Sequence, residues 1–205
     1  MLDSLFTNFE VSLELTVPML GTVPKDKDVY ASYIATKAPT EEEGAEEVKT
    51  VPDQEELENR GWTGFHQDED GRVFIYSYMV KGFLKTACSA LKRHNKSLSF
   101  KLTAHRKRIA DDIFVTPRRV YPENFTKLGV MERPLRAETA QGPRVTLARS
   151  DTLPEGTVLK FTVKVLDPKI TEAVVKEWFE YAEFQCLGQW RTAGHGTAIA
   201  TVKKL

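Results

Sequence analysis

Residues 157–166, TVLKFTVKVL, follow a Pro-Glu-Gly turn signal and place apolar side chains at every second position from Leu159 to Val165. In an extended chain successive side chains point to opposite faces, so this run reads as a strand with one buried face. Residues 9–17, FEVSLELTV, repeat the pattern near the N-terminus, and the chain ends on a further strand, TAIATVKKL. Between these lie two helical periodicities. Over residues 79–94, Val80, Phe83, Leu84, Ala87 and Leu91 share one face while Lys85, Lys92 and Arg93 lie away from it. Over residues 170–184, Val174, Trp178, Tyr181 and Ala182 share a face. Residues 71–76 (GRVFIY) read as a short strand after an Asp-Glu-Asp-Gly turn, and residues 113–120 (IFVTPRRV) as a strand whose proline puts it at an edge or a bulge.

The resulting order is strand, helix, strand, strand, helix, strand. It predicts an α+β fold: a four-stranded antiparallel sheet with two helices on one face, the ferredoxin-like or RRM-like arrangement. Residues 18–24 read as a loop, 29–36 as a short helix, and 121–154 as an elaborated hairpin region. Residues 37–72 are acidic, poor in large apolar groups and punctuated by proline and glycine. They read as a protruding insertion in a single domain spanning 1–205.

Formal net charge is zero, but charge is not evenly spread. Residues 40–70 hold twelve acidic against two basic side chains, and residues 81–149 hold sixteen basic against five acidic. A balanced total thus conceals a segment near −10 and another near +11, an asymmetry that points to an anionic partner. No apolar run approaches the roughly 20 residues of a membrane span. The alternating N-terminus lacks the basic flank of a signal peptide. The two cysteines, Cys88 and Cys186, fall in apolar patterns and suit a reducing compartment. The cytoplasm is the expected location, with no membrane partner.

The densest motif is residues 187–196, LGQWRTAGHG, between a helix and the final strand. Its glycines permit positive φ and close approach of a ligand to the backbone. Arg191 can add a bidentate phosphate contact, and Trp190 can stack on a base. The alternative is a tight helix-to-strand connection around a packed tryptophan. Lys92 and Arg93, the run Arg106, Lys107 and Arg108, and the pair Arg118 and Arg119 could line a groove for a phosphate backbone, a sequence-independent mode of binding. Taken singly, each is equally a solvated surface charge.

The 187–196 loop resembles the C-terminal glycine-rich loop of the RAMP superfamily, the repeat-associated proteins of CRISPR effector complexes, whose pattern is close to apolar-Gly-x-x-Arg-x-x-Gly-x-Gly. Residues 78–85, YMVKGFLK, are similar to the family's entry to its first helix. Residues 149–157, RSDTLPEGT, are similar to its turn into a long strand. The three blocks occur in the family's order and cover about half of the chain. The resemblance implies that Lys81 and Lys85 contact RNA phosphates and that Gly188, Arg191, Gly194 and Gly196 form the family's loop. It implies RNA, or single-stranded DNA, as ligand, and copies of the chain or other effector subunits as partners. The acidic insertion occupies the place of the family's thumb-like hairpin but is more acidic, which suits a basic neighbouring subunit better than RNA.

The leading expectation is a non-catalytic RNA-binding subunit of backbone type, oligomerising along the nucleic acid, in a CRISPR complex or as a stand-alone phage or prophage relative. A second is a metal-independent endoribonuclease using one of His66, His94, His105 and His195; separately, the resemblance puts Asp26 and Asp28 near the loop from which some backbone subunits cut target RNA with an aspartate. A third is a phage-encoded protein that mimics and blocks a host effector subunit. No metal-ligand spacing, phosphate-binding loop or nucleophile motif implies a cofactor.

Overall fold

The computed structural model describes residues 5–25, 61–139 and 142–205. The expected helix at 29–36 and the acidic stretch up to residue 60 lie outside these residues. Among the described residues the elements run β1 (Thr7–Leu15), β2 (Met19–Leu20), β3 (Val23–Pro24), β4 (Trp62–Gly64), β5 (His66–Gln67), β6 (Val73–Tyr76), α1 (Ser77–Leu91), α2 (His105–Asp112), β7 (Ile113–Thr116), β8 (Arg119–Val120), β9 (Pro122–Glu123), β10 (Gly129–Thr139), β11 (Gly142–Leu153), β12 (Val158–Val165), α3 (Glu172–Glu180) and β13 (Ala198–Lys204). The chain divides into two compact units, one of residues 1–19, 75–125 and 154–205, the other of residues 20–74 and 126–153.

The first unit carries the α+β fold expected from the sequence. Its sheet has the order β13-β1-β12-β7, and the pairings are antiparallel. Alternation sets the register: Phe9 faces Val163, Val11 faces Phe161 and Leu13 faces Leu159, and all six are buried. A slip of one residue would turn this set to the opposite face. Over it lie α1, which buries Val80, Phe83, Leu84, Ala87 and Cys88, and α3, which buries Val174, Val175, Trp178 and Phe179. The Phe179 ring meets Phe83 at 5.8 Å and Phe161 at 6.0 Å between centroids, joining both helices to the sheet.

Two features of this unit departed from the sequence pattern. Helix α2 has a single buried residue, Ile109, in HRKRIADD, so no apolar period marks it. It starts after Ala104 in left-handed conformation. The expected strand at 113–120 is two strands, with the cis Thr116-Pro117 bond between β7 at the sheet edge and β8, which pairs with β6.

The outward face of the sheet is a mosaic of charge and small polar groups. The central strands β1 and β12 present Asn8, Glu10, Ser12 and Glu14 beside Lys160, Thr162 and Lys164, and Lys203 of β13 stands opposite Glu10. Lys160 is paired with Glu123 at 2.7 Å.

The second unit is built on the long hairpin β10–β11, with β4 parallel to β11 and β3 antiparallel to β4. Residues 61–72, expected within the protruding insertion, are instead part of this unit: Phe65 and His66 are buried there, and Trp62 contacts Asp151. The cause is an internal charge pair. Lys25 Nζ lies 2.9 Å from the Asp151 carboxylate with both side chains buried, the Trp62 indole N–H donates to the same carboxylate at 2.8 Å, and Lys25 sits 4.0 Å from the Trp62 ring centre. Gly21 also packs so closely on Gly64 that a Cβ there would lie 2.3 Å from its carbonyl oxygen.

Removing one member of a buried ion pair strands the other charge. Lys25→Met is expected to destabilise this unit by about 3–5 kcal/mol, read as a lowered urea midpoint. Lys25→Met combined with Asp151→Leu should recover much of that loss. A Lys25→Met protein with an unchanged midpoint would show that the pair does not hold the unit.

Candidate nucleic-acid interface

On the helical side of the first unit, Lys85, Thr86, Ser89 and Arg93 recur along α1 and its C-terminal turn at a spacing that places them on one stripe, opposite the buried face. With Arg106 of α2 and with Tyr181 and Gln185, which follow α3, they line an open cavity of about 610 Å³. No carboxylate lines it, and among the described residues Lys85, Arg93 and Arg106 make no ion pair. Three cations therefore share one open concavity with no carboxylate in its lining, an arrangement that favours an anion there.

The cavity is held by a small hydrogen-bond network. Ser89 Oγ lies 2.7 Å from the Lys85 carbonyl and 2.8 Å from His105 Nε2. A serine has one hydrogen to give. With that hydrogen on the Lys85 carbonyl, His105 donates from Nε2, and the bond links the first residue of α2 to α1. Burial, then Lys92 and Arg106, hold the His105 imidazole below its ordinary value, in keeping with a neutral ring. At the far wall the Tyr181 hydroxyl donates to Gln185 Oε1 at 3.2 Å, and the Tyr181 carbonyl accepts from the Gln185 amide at 3.1 Å, closing a tight turn. Below, Ser99 bonds to Glu177 and receives the Trp178 indole N–H at 2.7 Å, which anchors the segment after α1 to α3.

The remaining residues singled out from the sequence are placed differently. Lys81 donates to the Ala110 carbonyl at 2.8 Å, and burial, then Lys85, lower its pKa. Arg108 is ion-paired with Asp167 and donates to the Thr103 carbonyl. Burial pushes the Asp167 carboxyl up, but the Lys169 amide and Arg108 outweigh it and hold it below its ordinary value. Lys92 is half-buried and Lys107 exposed. Arg118 lies over the Tyr76 ring at 5.5 Å, and Arg119 belongs to β8. Tyr181 and Gln185 were not recognised from sequence: Tyr181 reads as part of an apolar helix face, and nothing marks the glutamine.

The glycine-rich loop is a folded turn. Gly188, Trp190, Gly194 and Gly196 all have positive φ. The amides of Ala193 and Gly194 bond within the turn, and that of Gly196 donates to Pro18. Arg191 reaches the Cys186 carbonyl at 3.5 Å, and the half-exposed Trp190 stacks on His195 at 5.1 Å. Burial pushes the Cys186 thiol up to about 12, so it is inert at neutral pH. At Gly196 a Cβ would lie 2.0 Å from the Leu187 carbonyl oxygen, whereas nothing lies within 4 Å of one at Gly194.

No protein-family model matches the chain, and no curated protein matches it in sequence. Its fold is similar to a chain in the cryo-EM structure of the Type III-B Cmr-beta bound to cognate target RNA, with a TM-score of 0.51 at 10% identity. The match covers 100% of this chain and 62% of the other, so this chain spans less than two thirds of that subunit's length.

Gly196→Ala is expected to prevent normal folding, because its Cβ meets backbone. Gly194→Ala is expected to cost only the left-handed penalty, about 1–2 kcal/mol, in thermal melts; equal losses would contradict the packing. For His105, a folded-state pKa below the unfolded value of about 6.5 means that the unfolded chain binds the proton more readily. Stability should thus fall as pH drops below about 6.5. The decline between pH 7.5 and 5.5 should be shallower in His105→Gln, and an identical pH dependence would remove His105 from the account.

Proposed function

We propose that this protein binds single-stranded RNA through its phosphate backbone, without cleaving it, as a RAMP-type subunit related to those of CRISPR effector complexes. The observation that carries the reading is the convergence of Lys85, Arg93 and Arg106 on one cavity with no carboxylate in its lining. Cations brought together from separate helical elements and left uncompensated form a phosphate-binding electrostatic footprint.

The opposite side of the same unit argues for this face by contrast. An RRM-type sheet reads RNA by stacking bases on aromatic side chains of its central strands. Here the outward positions of β1 and β12 hold acids, lysines and small polar groups. Phe114 of edge strand β7 is exposed and meets Phe6 edge-on at 5.7 Å. Contact with RNA is accordingly assigned to the helical side. The fold neighbour belongs to an RNA-bound assembly, which supports RNA as the ligand and other subunits or further copies as partners. Head-to-tail contacts between copies would extend along the strand. The glycine-rich loop, with Trp190 half-exposed and open space at Gly194, is assigned a supporting contact.

Each neutralised phosphate contributes a log–log salt slope of about −0.7 for a single strand, so three cations contribute about −2. Lys85→Gln, Arg93→Gln and Arg106→Gln combined should weaken binding of a U12 RNA and flatten its salt slope by about 2. The RNA should be recovered intact with or without Mg²⁺. An unchanged slope in a folded triple variant would place the binding face elsewhere, and cleavage would favour an endoribonuclease.

A further inference from the structure

Resting on that reading, we propose that the cavity distinguishes RNA from DNA, with Lys85, Arg93 and Arg106 holding successive backbone phosphates while Tyr181 and Gln185 bond a neighbouring ribose 2′-hydroxyl. The cavity's volume of about 610 Å³ is large enough for a nucleotide-sized group, not merely a bare ion. Its lining is divided by chemistry. The cations come from α1, its C-terminal turn and α2, whereas Tyr181 and Gln185 bring a neutral phenol and amide from the turn after α3.

The hydrogen bond between these two polar groups defines what each has left. Tyr181 gives its hydrogen to Gln185 Oε1, so its oxygen keeps lone pairs that can accept. Gln185 accepts through Oε1, which leaves its NH₂ to donate. One acceptor and one donor, side by side, match a hydroxyl, which both donates and accepts. The 2′-hydroxyl is such a group, and it is the one that deoxyribose lacks. The two side chains are also pre-positioned, because the Tyr181 carbonyl accepts the amides of both Phe184 and Gln185 at 3.1 Å and so fixes the turn that carries them. A phosphate alone would use only donors, and the acceptor on Tyr181 would then have no role.

The test compares U12 RNA with a dU12 strand of the same base and length, by fluorescence anisotropy at one fixed salt concentration. The wild-type protein should prefer RNA by about tenfold, the scale of a net hydrogen bond or two. Tyr181→Phe keeps the ring and removes the oxygen, and Gln185→Leu keeps the bulk and removes the amide. Each should bring the RNA-to-DNA ratio close to one, with melting temperatures recorded to confirm folding. U12 carrying 2′-O-methyl groups should bind the wild type about as weakly as dU12, since it has lost its donor. A preference that survives in both folded variants would overturn the assignment. Equal, steeply salt-dependent binding of both strands by the wild type would overturn it while leaving the backbone-binding function intact. Failure to bind either strand would overturn both.

Discussion

The register between β1 and β12 is the constraint on which the first unit depends. Phe9, Val11 and Leu13 meet Val163, Phe161 and Leu159 on one face, and Phe161 in turn supports Phe179 of α3. Because the side-chain period of a strand is two, this pairing decides at once which residues form the core and which form the outer surface. It also fixes the height of both helices above the sheet through Phe83 and Phe179. The cation stripe of α1 is then a geometric result: once Val80, Phe83, Leu84 and Ala87 are turned inward, Lys85, Ser89 and Arg93 stand on the side away from the sheet.

How much of this was legible in the chain follows from how local each signal is. The β1 and β12 alternation and the α1 and α3 periodicities are local patterns, and they led to the antiparallel sheet with two helices that is observed. Helix α2 was hidden because Ile109 alone is buried in it. The second unit was hidden because it depends on contacts between residues far apart in sequence. Lys25 and Asp151 are 126 positions apart, and their pairing gives the Trp62 segment a place to dock. Read alone, residues 61–72 show only polarity and turns.

The candidate site shows the same division. Lys85, Arg93 and Arg106 could each be picked out by charge, but their meeting could not, since it rests on the His105–Ser89 bond that brings α2 to α1. Lys81 and Arg108 were equally plausible by sequence, yet a backbone carbonyl and Asp167 engage them. Charge identifies candidates, whereas partners determine which of them remain available. Tyr181 and Gln185 lay beyond any charge-based argument, because a phenol and an amide acquire meaning only from the wall opposite them.

The mosaic on the outward sheet face has a consequence for approach. With Glu10, Glu14 and Glu123 interspersed among Lys160, Lys164 and Lys203, that face has little field beyond a Debye length, about 8 Å at physiological salt. The cavity on the helical side, with three cations and no carboxylate in its lining, favours negative charge locally. The unit therefore acts on a distant polyanion as a lopsided charge and exerts a torque before any contact forms. On the proposed function, an RNA strand arriving within a few water layers would be turned toward that cavity, so that part of the orientational search is finished on arrival.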